Sequence, residues 1–94
     1  MYHLQIVFNI MGKVFENILY DLGFENYDDP TWSEGSYIKE FDVGHVVFKT
    51  DKFGNIVDKF SEFTQSIHSK KQIAEAKRML SFYEEALRKL KEGT

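Results

Sequence analysis

From His3 to Leu22 the apolar positions recur at helical rather than strand spacing. Leu4, Val7, Phe8, Met11, Val14, Phe15, Ile18, Leu19 and Leu22 fall within an arc of about 140° at ~100° per residue, and only Ile6 and Ile10 stray from it. Gly23 follows as a left-handed cap, with Phe24 as its apolar partner. Gly12 costs ~1 kcal/mol inside a helix. It leaves a second reading open, a strand over 3–10 followed by a helix over 12–22.

Periodicity then stops. Residues 24–36, FENYDDPTWSEGS, carry the turn signals Asp29-Pro30, Ser33, Gly35 and Ser36. Three short strands follow: Tyr37–Asp42, His45–Thr50 and Asn55–Phe60, with a tight turn near Val43-Gly44. Asp51-Lys52-Phe53-Gly54 reads as a type I turn with Gly54 left-handed. A hairpin alone is marginal, so its apolar face needs a helix over it. That helix begins at Ser69, where Gln72 three residues on completes a capping box. Ile73, Ala76, Leu80, Tyr83, Leu87 and Leu90 form its seam, Phe82 lies just off it, and Gly93 ends it. The order α-β-β-β-α predicts an α+β fold: one domain over 1–94, with two helices packed on one face of a small three-stranded antiparallel sheet.

Composition narrows the function classes. Ninety-four residues are too few for a dinucleotide fold with a substrate domain. With 43% apolar residues and a net charge of -3, the chain has the balance of a folded domain rather than a disordered one. Aromatics make up 16%, and each buries ~150–250 Å², which supplements a small core. There is no cysteine, hence no disulfide framework, thiolate site or thiol nucleophile. This composition and the lack of an apolar span predict a cytoplasmic location away from the membrane.

Catalytic and metal-binding signals are weak. Ser36-Tyr-Ile-Lys39 matches S-x-x-K without its companion motifs. His3, His45 and His68 show no ligand spacing. Asp51–Glu62 mimics a calcium loop, but Phe53 stands at an oxygen-ligand position and Ile56 where the turn needs glycine. We therefore expect no metal, no cofactor and no enzyme activity.

Charge is segregated. Residues 1–48 hold two bases against eight acids, and residues 49–94 hold ten bases against seven acids. The acidic half contains Phe24, Tyr27, Asp28, Asp29, Trp32 and Glu34, rings interleaved with carboxylates in the longest irregular stretch. Rings supply desolvated contact area and carboxylates steer a cationic surface, so these six are the expected contact residues for a protein partner with a basic surface. The alternative is that the loop is a flap folded over the sheet edge. In size and composition the chain resembles small inhibitors and adaptors of phages and mobile elements, which act by binding and modulating another macromolecule.

The basic half supports a different class. Lys70, Lys71, Lys77 and Arg78 crowd the start of the last helix, where phosphates could be met. With Gly44-His45 near a hairpin loop and Ser69-Lys70-Lys71-Gln72-Ile73-Ala74 opening that helix, the α-β-β-β-α order is weakly similar to double-stranded-RNA-binding domains over residues 37–80. That resemblance would imply RNA binding through the paired lysines. The hairpin lacks the family's proline, the glycines before the lysine pair are absent, and the whole chain is acidic. The spaced apolar seam of the last helix also suits a homodimer through that helix.

Overall fold

The computed structural model describes residues 16–32 and 34–92. Its elements are α1 (residues 16–21), β1 (Glu25–Asn26), β2 (Ser36–Phe41), β3 (Gly44–Thr50), β4 (Ile56–Phe63) and α2 (Lys70–Glu92). The class is α+β as expected, but the sheet has four strands rather than three. The order is β1-β2-β3-β4, all pairs antiparallel. The added strand is two residues long, Glu25 opposite Ile38 and Asn26 opposite Tyr37. It lies inside the stretch whose composition predicts a loop, because two paired residues leave no period to read. The readings over 3–15, as helix or as strand, and the Gly93 stop lie outside the described residues.

Both ends of α1 and α2 that can be seen follow from local chemistry. Gly23 has φ 93°, and the chain closes α1 with Phe24 N–H donating to Leu19 carbonyl at 2.9 Å and Gly23 N–H to Tyr20 carbonyl at 3.0 Å. This pair of bonds is the Schellman closure, which carries Phe24 inward beside Leu19. At α2, Gln72 N–H donates to Ser69 Oγ at 3.0 Å. Ser69 N–H returns a bond to Gln72 Oε1 at 3.0 Å, as a capping box requires.

The turns are equally local. In the β3–β4 hairpin, Gly54 has φ 85° and its N–H donates to Asp51 carbonyl at 3.1 Å. The Asp51 carboxylate accepts from Phe53 N–H, Asn55 N–H and Asn55 Nδ2. Burial alone would raise its pKa, and those bonds outweigh burial and hold it below the usual range. The residue that opens the calcium-like pattern is thus spent on its own turn. The β2–β3 turn is Asp42-Val43, one residue earlier than predicted, with no positive φ. Val43 is buried at 2% exposure, and its carbonyl accepts Thr64 N–H at 2.9 Å. Packing closes this hairpin in place of a glycine turn. Gly44 must be glycine for another reason: a Cβ there would run into the Glu62 backbone of β4.

The core lies between the sheet and the helices. Tyr37, Val46 and Phe48 from the sheet meet Leu19, Phe24, Ala76, Met79, Ala86 and Leu90. Four ring contacts run through it: Phe41 to Phe82 at 5.2 Å, Phe82 to Phe24 at 5.6 Å, Phe24 to Phe48 at 5.2 Å and Phe48 to Tyr83 at 6.1 Å. Burial, with Asp58 of β4 adding to it, holds the Tyr83 phenol above its usual pKa. The predicted seam of α2 holds in part. Ala76 and Leu90 are buried and Tyr83 and Leu87 pack against the core, but Met79 and Ala86 are buried as well, while Ile73 is 43% and Leu80 40% exposed. The buried stripe is turned by about 50° at 100° per residue, toward the rings of β2. The large Phe82 ring, docked between Phe24 and Phe41, sets that rotation. No helix among the described residues is long and apolar enough to cross a membrane.

Candidate functional site

A polar cleft of about 400 Å³ opens between β1 and the start of β2, lined by Asn26–Pro30, Trp32 and Glu34–Ser36. Its frame is a turn that the sequence Asp29-Pro30-Thr31-Trp32 encodes directly. Proline presets the first central φ, and aspartate suits the leading position. Trp32 N–H donates to Asp29 carbonyl at 3.0 Å. Asp29 Oδ1 accepts from Thr31 N–H at 2.8 Å and from Thr31 Oγ1 at 2.7 Å.

Two further contacts seat this turn on the sheet. The indole Nε1–H of Trp32 donates to Thr50 carbonyl at 2.8 Å, and Lys49 Nζ lies 2.9 Å from Asp29 Oδ2. The Thr31 hydroxyl first, then Lys49, hold the Asp29 carboxyl at about 2. Bonding to Asp29 raises the Lys49 ammonium in turn. Gly35 passes so close to the Thr50 hydroxyl that a Cβ would collide with it, and its carbonyl accepts Thr50 N–H at 2.9 Å.

The six residues expected to meet a partner divide into three groups. Phe24 is 3% exposed and belongs to the core, so it drops out of the contact surface: the Schellman closure that ends α1 turns it inward. Asp29 and Trp32 are partly buried and hold the loop to the sheet. Tyr27 is half-buried at the cleft, and Asp28 and Glu34 are exposed beside it.

Sequence reasoning misses two residues. Ser36 lines the cleft at 2% exposure, and its hydroxyl has no hydrogen-bond partner among the described residues. Lys49 stands directly opposite Ser36 in the β2–β3 register, which brings its ammonium to Asp29. The strand alternation of β2 could have set Ser36 on the face opposite Tyr37, but nothing local points a loop aspartate at Lys49.

The four basic residues of α2 come together differently. Lys70, Lys71, Lys77 and Arg78 are all exposed. At ~100° per residue they share an arc of about 120° centred nearly opposite the buried stripe. Arg78 lies 3.7 Å from Glu75. Gly44 and His45, expected at a hairpin tip, are instead within β3, where His45 lies 3.6 Å from Glu62. Among the described residues no three metal-capable side chains converge. Compared with family models, curated proteins and solved structures, the chain matches none of them.

Proposed function

We propose that this protein works by binding rather than catalysis, and that the cleft at residues 26–36 receives a lysine or arginine from a protein with a basic surface, modulating that partner. One observation carries the reading: the loop already holds a cation. Asp29 grips Lys49 on the sheet side, while the exposed Asp28 and Glu34 line the same cleft as Tyr27 and Trp32. The buried Ser36 hydroxyl, without a partner among the described residues, supplies a further acceptor at the cleft. Carboxylates attract the incoming charge, ring faces add cation–π contact, and a short polar cleft favours one side chain over a long peptide.

Trp32 is the chain's single tryptophan, so its emission reports on this cleft directly. Titration with an arginine-rich peptide is expected to shift that emission saturably, and a glutamate-rich peptide of equal length is expected to leave it unchanged. Asp28→Asn with Glu34→Gln should weaken the response at least tenfold. An unaltered response in that double variant would overturn the reading.

A second reading rests on the shared arc of Lys70, Lys71, Lys77 and Arg78. Four cations on one solvent-facing surface suit a nucleic-acid backbone, whose binding falls steeply with salt. Duplex RNA retained by the protein at low salt, released at high salt and lost in Lys70→Glu with Lys71→Glu would favour it over the cleft.

A further inference from the structure

Among the described residues, β4 is the long open edge of the sheet. It runs eight residues, whereas the opposite edge is the two-residue β1. Which backbone groups face outward follows from one bond. Thr64 N–H points to Val43 carbonyl, so by alternation Glu62 and Phe60 also point to β3. Lys59, Ser61 and Phe63 then turn their N–H and C=O groups away from the sheet; Asp58 Oδ1 accepts the Lys59 N–H at 2.9 Å, so Ser61 and Phe63 are the ones left to pair. No proline interrupts this row, and the register irregularity lies near Thr50, at the far end of the strand. Such a row is a template for another strand.

Most of the exposed apolar surface among the described residues lies on this side. Its large members are Tyr20, which packs edge-on against Tyr37 of β2, and Val57, Phe63, Ile73 and Leu80, of which Val57 and Phe63 are on β4 itself. The position of Ile73 and Leu80 follows from the ring contacts of α2. Phe82 leans toward β2 through Phe41, and Tyr83 reaches Phe48 of β3. Continuing round the helix in that sense at ~100° per residue, Leu87, Leu80 and Ile73 fall about 140–180° from Phe82, past the buried stripe and above β4.

We propose that two copies of this chain pair edge to edge through antiparallel β4 strands, with Ser61 opposite Ser61 of the partner subunit. The two-fold axis stands perpendicular to the sheet. It makes one eight-stranded sheet and sets both α2 helices antiparallel on the same face, with Ile73 and Leu80 turned toward the axis.

Charge selects the register. Strand side chains alternate faces, so only centres that keep each face on its own side are compatible with the axis. A centre at Lys59 opposes two lysines, a centre at Phe60 opposes Asp58 to Glu62, and a centre at Glu62 opposes two glutamates. Centred on Ser61, Lys59 meets Phe63 and Phe60 meets Glu62, and no like charges face each other. This pairing is separate from the cleft at residues 26–36.

Sedimentation of the full chain over a wide concentration range is expected to show twice the monomer mass. Ser61→Pro removes an outward N–H that has no acceptor among the described residues, and should return the monomer mass with unchanged circular dichroism. The chain has no native cysteine, so Ser61→Cys tests the register independently. Opposed residues of a hydrogen-bonded pair lie ~5.5 Å apart at Cα, within reach of a disulfide. Oxidation should therefore link Ser61→Cys into a covalent dimer and leave Lys59→Cys unlinked. A monomer at every concentration would overturn the proposal. So would a dimer that survives Ser61→Pro but is abolished by Leu80→Lys, which would place the contact on the helix alone, or a monomer that takes up an extended peptide along β4.

Discussion

Along its outer side β2 is met first by β1 and then by the loop from Tyr27 to Gly35, whereas β4 ends the sheet with nothing of the described chain beyond it. At the first edge most polar groups are tied internally, the Ser36 hydroxyl excepted: Tyr27 N–H donates to Ser36 carbonyl at 3.0 Å, the indole to Thr50 and Lys49 to Asp29. At the second edge Lys59 N–H is met by Asp58 Oδ1 at 2.9 Å, the outward groups of Ser61 and Phe63 have no strand beside them among the described residues, and Val57 and Phe63 are exposed. On the two proposals above, the closed edge would be read through side-chain chemistry and the open edge through main-chain pairing.

The strongest way to break this contrast is to remove what anchors the closed edge. Phe24→Ala empties a site shared by α1, β3 and α2 and should cost about 3–5 kcal/mol in chemical denaturation. A change below 1 kcal/mol would mean the ring is not the anchor described. Next in size is Gly44→Ala, which forces β3 and β4 apart at Glu62 and should cost about 1–3 kcal/mol by the same measurement. If the open edge forms the dimer, this variant should also weaken association.

Trp32→Phe keeps a ring but leaves the Thr50 carbonyl without its donor, at about 1 kcal/mol. The Asp29 carboxyl sharpens the picture through pH. It is held at about 2 against an ordinary 3.8. A lowered folded-state pKa contributes stability that is fully present above 3.8 and disappears as pH falls toward 2. Acid titration of stability should therefore steepen across that window, and Asp29→Asn should flatten it. The smallest effect belongs to the basic arc. Lys70→Glu with Lys71→Glu touches no buried group and should move stability by less than about 0.5 kcal/mol.

What the sequence revealed was mostly local chemistry. The Gly23 cap, the Asp51–Gly54 turn and the Ser69–Gln72 box all rest on side chains within a few residues, and each is found where its residues predict. The strands of the meander fall within three residues of expectation, because alternation and turn signals bound them. Three features stayed hidden. β1 is too short to have a period. The rotation of α2 depends on where Phe82 finds room between Phe24 and Phe41, a contact set by the sheet. The cleft was legible only in its composition. Asp28, Asp29, Trp32 and Glu34 could be picked out as a group, but the inward turn of Phe24 and the reach of Lys49 to Asp29 arise from the tertiary fold.

The run of rings through the core has a kinetic consequence. β2, β3 and β4 are sequence neighbours joined by short turns, so their pairing needs only small loop closures. The Phe24–Phe82 and Phe41–Phe82 contacts join residues separated by most of the sheet, and they can form only after it is in place. Truncating Val46 should then slow refolding, while truncating Phe82 should chiefly hasten unfolding. The rings are then the contacts expected to close last, and the unfolding rate is where their removal should be read.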